Sequence, residues 1–168
     1  MIRVILFLTA LAASAIAEAQ VKETRNVADF TSIHVSSGIK VFYTQSNNKA
    51  VVVESDNQEK VGRIGTEVKN GKLRVVVKPK NGESSFKILK VYVSAPNVTS
   101  FIADSGAHIE FENELQSKSA IKFDLSSGSL VSAKVAANSI DLDLVSGSQF
   151  TAELDVNKVS VDMDSGSN

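Results

Sequence analysis

The chain has 168 residues, of which 43% are hydrophobic, 22% charged and 6% aromatic, with a formal net charge of -1. That balance fits one globular unit and excludes a disordered or collagen-like chain. Cysteine is absent, which removes disulfides, thiolate metal sites and a cysteine nucleophile, and two His leave little for a zinc centre.

Met1-Ile2-Arg3 gives a positive start, Val4 to Ile16 an apolar stretch, and Ala17-Glu18-Ala19 a small-x-small site before Gln20. This order predicts a secretory signal peptide over 1–19 and an exported mature chain over 20–168. The apolar stretch is shorter than the roughly 20 residues that span a bilayer. No second one follows, so no transmembrane segment is expected after cleavage. An exported chain without cysteine suits a bacterial envelope, which leaves periplasm, outer-membrane surface and extracellular medium as destinations.

From 20 to 99 the pattern is β. Ile33 and Val35, then Ile39, Val41 and Tyr43, then Val51 and Val53 alternate with polar residues, as do Leu73, Val75 and Val77, and Val91 and Val93. Asn70-Gly71 predicts a two-residue hairpin, and Asn47-Asn48 a turn of the preceding pair. Gln58 to Ile64 reads as one or two helical turns. Ser37-Gly38, with Ile39 resuming a strand at once, reads as an early copy of a corner that recurs later.

From 100 to 168 that corner repeats, at Ser105-Gly106, Ser127-Gly128, Ser146-Gly147 and Ser165-Gly166, in steps of 22, 19 and 19 residues. The last three copies align Ile121, Phe123 and Leu125 with Ile140, Leu142 and Leu144 and with Val159, Val161 and Met163. Period-2 alternation within a fixed longer period predicts an all-β, parallel β-helix-like solenoid with coils of 19–22 residues. The Ser and Gly of each corner are expected to be structural turn residues. The part over 20–99 would be an antiparallel, hairpin-rich cap on one end of a single domain. The chain stops at Ser165-Gly166-Ser167-Asn168, in mid-repeat. The expectation is a truncated C-terminus; the alternative is a last coil that pairs with another chain, giving end-to-end self-association.

Residues 20–99 carry 13 Lys and Arg against seven Asp and Glu, whereas 100–168 carry four against 11. The near-zero total therefore conceals a dipole. The basic half has no run of Lys or Arg and no aromatic interleaving, and the repeats are acidic, which argues against nucleic acid as a partner.

Asp124, Asp143 and Asp162 recur at one repeat position and would line up about 5 Å apart on stacked strands. They are the weak candidates for a metal site or for paired catalytic carboxylates. No Arg or His lies near them in sequence to divide them into acid and base, so no catalytic residue is assigned and no cofactor expected. His34 and His108 have no partner at metal-ligand spacing and read as ordinary strand residues. The Ser-Gly-Ser corners lie between strands, unlike a nucleophile elbow between strand and helix. Asn97-Val98-Thr99 fits a glycosylation acceptor and is kept as a surface-turn signal.

The phrases Arg25-Asn26-Val27-Ala28-Asp29-Phe30-Thr31-Ser32-Ile33 and Ser37-Gly38-Ile39-Lys40-Val41, followed by the repeated corners, resemble the putative auto-transporter adhesin, head GIN domain family. The resemblance covers essentially the whole mature chain. It implies a β-helix-like fold related in shape to pectin lyases, a bacterial envelope or surface location, a role in adhesion and no catalytic residues. The expected function is thus a non-enzymatic exported module that binds an unknown glycan or protein through a rigid face. The alternatives are a carbohydrate-active enzyme of pectin-lyase-like shape, for which the repeat region lacks any Arg, and a periplasmic structural or sensory protein.

Overall fold

A computed structural model describes residues 20–80 and 85–168; the signal peptide expected over 1–19 lies outside the described residues. In chain order the elements are β1 (Val21–Thr24), β2 (Ser32–Val35), β3 (Lys40–Gln45), β4 (Ala50–Ser55), α1 (Gln58–Arg63), β5 (Ile64–Lys69), β6 (Lys72–Val77) and β7 (Leu89–Ala95). They continue as β8 (Ser100–Ala103), β9 (His108–Phe111), β10 (Leu115–Leu125), β11 (Leu130–Leu144) and β12 (Gln149–Met163). Among the described residues the fold is all-β, a curled twelve-stranded sheet with one short helix.

The repeat half is built from strands that pair in parallel, one chain pass beside the next. Lys122 lies opposite Ser100 and Leu130 opposite His108, a shift of 22 residues; Ile140 lies opposite Ile121 and Val159 opposite Ile140, a shift of 19. Each pass has one arm entering a Ser-Gly corner and one arm leaving it. The long strands β11 and β12 carry both arms, and their ladder skips Asn138 and Asn157, where the chain bends. There the Asn157 amide donates to Asn138 Oδ1 at 3.3 Å.

The alternation read from sequence decides what the arms enclose. Ile121, Phe123, Leu125, Ile140 and Leu144 are at most 2% exposed. Phe101 stacks on Phe123 at 5.3 Å between ring centroids, and Phe123 meets Phe150 at 4.8 Å, so aromatic rings from successive passes fill the interior as a column. Burying each such side chain contributes about 1.5–3 kcal/mol.

At the corners both residues have positive φ, for instance Ser127 at 52° and Gly128 at 71°. That is the backbone of a type I′ turn, and the Ser129 N–H closes it on Ser126 O at 3.2 Å. The corners also stack: the Gly106 N–H donates to Ser127 O at 3.0 Å, Gly128 to Ser146 at 3.1 Å and Gly147 to Ser165 at 3.2 Å. A serine after each of the last three glycines points inward, and Ser129, Ser148 and Ser167 donate their hydroxyls to Ala103, Leu125 and Leu144 carbonyls at 2.9, 3.1 and 2.7 Å.

Residues 20–99 are more than a cap. β2 pairs in parallel with β8, and β3 with β9, and the Gly38 N–H donates to Ser105 O at 3.0 Å, so this pass stands in the same stack as the repeats. The reason is the Ser37-Gly38 corner, with φ of 67° and 68°, which superimposes the pass on its neighbour. Among the described residues antiparallel pairing is confined to β1 with β4, β4 with β7, and β5 with β6. The Asn70-Gly71 hairpin joins β5 to β6, with φ of 51° and 71°. The turn at Asn47-Asn48 does not join paired strands, because β7 comes between β3 and β4. Helix α1 ends one residue before the expected Ile64; Asn57 caps it by accepting from the Lys60 N–H, and buried Val61 faces the interior. One arm of the stack runs β1-β4-β7-β3-β9-β11-β12 and the other β5-β6-β2-β8-β10-β11-β12, so the basic and acidic parts of the chain succeed one another along the stack.

Candidate functional site: a flank groove along the bends

Three of the outward-facing groups singled out from sequence fall into line. Asp124, Asp143 and Asp162 occupy directly paired positions on β10, β11 and β12. Lys122 answers the first of them, its Nζ 2.9 Å from Asp124 Oδ1. The hydrogen bond and charge of Asp124, with smaller contributions from Asp143 and Asp141, hold the Lys122 ammonium above its ordinary range. Among the described residues no group of three His, Cys, Asp or Glu is arranged to hold a metal ion. The carboxylate row carries Lys122 among its groups.

His34 does have a partner, which its sequence neighbourhood does not reveal. Its Nε2 lies 2.6 Å from Asp104 Oδ2 across 70 residues of chain, because β2 and β8 are paired. Burial pushes the Asp104 carboxyl up, but hydrogen bonds from His34, Ser36 and Ser105 outweigh it and hold the group below its usual value. The His34–Asp104 contact joins two neighbouring passes as a clamp. His108 sits on the other arm. Burial there, and then the charge of Lys40, lower its pKa.

On the outer face of that second arm, Phe42 and Tyr92 stack at 5.2 Å with an interplanar angle of 14°. Lys40 and Lys22 each lie 4.8 Å from a ring centroid, over Phe42 and Tyr92 respectively. The Tyr92 hydroxyl donates to Glu54 at 2.7 Å, and that bond to a nearly buried carboxylate pushes the phenol up to about 12. Since lysines cover the outer ring faces, the pair is a fastening across β3 and β7 rather than an open stacking platform.

The concave surface lies on the flank opposite the Ser-Gly corners, where the arms bend. Three adjoining cavities of about 370, 500 and 460 Å³ run along it. The first two share Thr31, Pro96 and Asn97, and the last two share Ser117 and Lys118, so they form one groove parallel to the stack. Amides and hydroxyls are a large part of its lining, among them Asn97, Gln116, Ser117, Ser119, Asn138 and Asn157, beside the charged Asp29, Lys49, Lys118 and Asp155 and the apolar Phe30, Ala95 and Pro96. Some are already engaged: Gln45 is clipped to Asn113, Pro96 and Gln116, which fixes the wall. Charge is sparse and partly self-compensated, since Lys49 holds Asp29 at 2.6 Å. The Asn138 and Asn157 positions recur at the same 19-residue step as the corners. That recurrence is the sequence signal for the groove, and the eye drawn to Ser-Gly passes over it.

Parallel passes that stack through Ser-Gly corners and carry a flank groove define a stacked all-β fold. The chain belongs to the putative auto-transporter adhesin, head GIN domain family, whose pattern it matches over residues 29–168. Its fold is similar to that of a putative adhesin from Parabacteroides distasonis, with a TM-score of 0.78 and 22% identity over 90% of this chain and 64% of that one. A protein from the same organism described as a putative lipid binding protein gives 0.75 and 14%, over 86% of this chain and 62% of that one. A putative adhesin from Bacteroides fragilis gives 0.58 and 13%, over 88% and 98%. The chain thus spans less than two thirds of the length of the first two structures. No curated protein sequence matches it.

Proposed function

We propose that the chain is a non-enzymatic, exported binding module of a bacterial envelope, a short parallel β-solenoid whose coils hold a flank groove for an extended polar ligand. The observation that carries the reading is the groove itself, continuous across three cavities and lined in large part by amides and hydroxyls. Uncharged hydrogen-bonding groups on a rigid wall suit the hydroxyls of a neutral glycan chain, whose repeat runs along a surface as the coils do. Family membership supports adhesion as the purpose, and the predicted signal peptide supports export. Among the described residues no helix is long and apolar enough to cross a membrane.

The test is retention of the purified protein on immobilised neutral polysaccharides, with chitin, mannan and cellulose as probes. Specific retention that weakens in an Asn138→Ala, Asn157→Ala double variant is expected. Retention by none of the probes, or retention indifferent to those two changes, contradicts the assignment of the groove.

A further inference from the structure

The outer face of β5 and β6 gathers cations that the rest of the fold does not answer. Leu73 and Val75 point inward and are fully buried, and Val68 packs on the same core. Alternation therefore sets Glu67 and Lys69 of β5, Lys72 and Arg74 of β6, and Lys78 just beyond it on the outer face, and all five are exposed. The Lys78 chain lies across Gly65, where a Cβ would meet its Cε at 3.3 Å, so the glycine makes room for it.

Register places Lys69 directly opposite Lys72 and Glu67 opposite Arg74. Like charges so placed repel one another. Elsewhere lysines are answered: Lys22, Lys40, Lys49, Lys60 and Lys122 each have a carboxylate oxygen within 3.4 Å. Among the described residues Lys69, Lys72, Arg74 and Lys78 form no ion pair, not even Arg74 with the Glu67 that faces it. Charge on β5, which ends the strand order, also deters stray strand pairing. That does not account for Lys72 and Arg74, because β6 is paired on both sides, by β5 and by β2.

We infer that this face binds an acidic polysaccharide, which lies along β6 and sets its carboxylate or sulfate groups on Lys69 and Lys72, on Arg74 and on Lys78. From Lys72 to Lys78 the row follows one strand for about 20 Å, at roughly 3.3 Å per residue, the reach of a few sugar rings. Arg74 can hold one anionic group through two parallel hydrogen bonds. Across the sheet the sign changes. Arg74 is followed by His34, held by Asp104, and Lys72 by Ser32, Ser100 and then Lys122, held by Asp124, with Asp143 beyond. An acidic chain is thus steered along β6 and away from the repeats.

A bilayer surface fits less well, since none of the exposed large hydrophobic side chains among the described residues lies here to insert. A nucleic acid would find no ring to stack on, because β5 and β6 contain no aromatic residue. None of the four cations lines the flank groove, so this is a second site, independent of the first.

Heparin and polygalacturonate, one sulfated and one carboxylated, are the probes, and binding of the purified protein is measured over a series of salt concentrations. Binding that weakens as salt rises is expected. The triple variant Lys69→Gln, Lys72→Gln, Arg74→Gln should bind roughly tenfold or more weakly. A control triple of equal net charge, Lys22→Gln, Lys134→Gln, Lys158→Gln, should lose less than about threefold, with circular dichroism checking that both fold. Binding to neither polymer at low salt, equal losses in the two triples, or tighter binding to phosphatidylglycerol vesicles or duplex DNA than to either polysaccharide would each overturn the inference.

Discussion

Ser148 donates its hydroxyl to the carbonyl of Leu125 at 3.1 Å from a fully buried position, joining the start of one pass to the end of the arm before it. The same carbonyl also accepts the Val145 N–H at 2.9 Å. Ser148→Ala therefore leaves no orphaned acceptor, and the loss of one net hydrogen bond should cost about 1 kcal/mol. Urea unfolding of the variant checks this. A cost above that range would mean that the hydroxyl organises the corner as well as bonding across it.

The corner glycines and the helical glycine should respond in opposite directions to the same change. A Cβ at Gly147 would meet nothing within 4 Å, so only its φ of 73° opposes a side chain. Gly147→Ala should destabilise by about 1–2 kcal/mol through strain alone. Gly62, in α1, also has open space around it, and Gly62→Ala should stabilise by about 0.5–1 kcal/mol. Thermal melts of the two variants side by side are the check.

Register predicts how the cost of truncating a side chain changes along the stack. Phe123 is fully buried between Phe101 and Phe150, and Phe123→Ala should cost about 3–5 kcal/mol. Val161, two passes on at the same position, is half exposed, and Val161→Ala should cost under about 1 kcal/mol to the unfolding of a single chain. Chemical denaturation at low protein concentration reads both values.

The His34–Asp104 clamp sets an acid limb. The Asp104 carboxyl titrates lower in the folded chain than in the unfolded one, so its stabilisation is complete above the ordinary aspartate pKa and is lost as pH falls through the lowered folded value. Asp104→Asn should flatten the fall in stability below about pH 4, where aspartate ordinarily titrates. Unfolding midpoints measured across the acid range should show it, and an unchanged slope would remove Asp104 from the account.

The interior was legible because alternation is a local signal: Ile121, Phe123 and Leu125 declare their inward face without reference to any neighbour. The corners were legible because Ser-Gly repeats at nearly fixed steps. What escaped depends on pairing between distant passes. His34 finds Asp104 only when β2 lies beside β8, and β7 separates β3 from β4 for a reason that no local stretch contains. Antiparallel pairing is likewise less extensive over 20–99 than the sequence suggested, because the Ser37-Gly38 corner brings β2 and β3 into parallel pairing with β8 and β9. The groove is a property of bends, and at the bend the ladder skips Asn138 and Asn157, so the alternation that reveals strands says nothing there.

A module that serves adhesion, as proposed, must present its groove outside the cell, and protease accessibility on intact cells tests that most directly. The full-length protein in its native host is treated with protease before and after lysis, and cleavage is followed with an antibody to the repeats. Cleavage on intact cells is the predicted result. Protection until lysis would confine the protein to the periplasm and contradict an adhesive function.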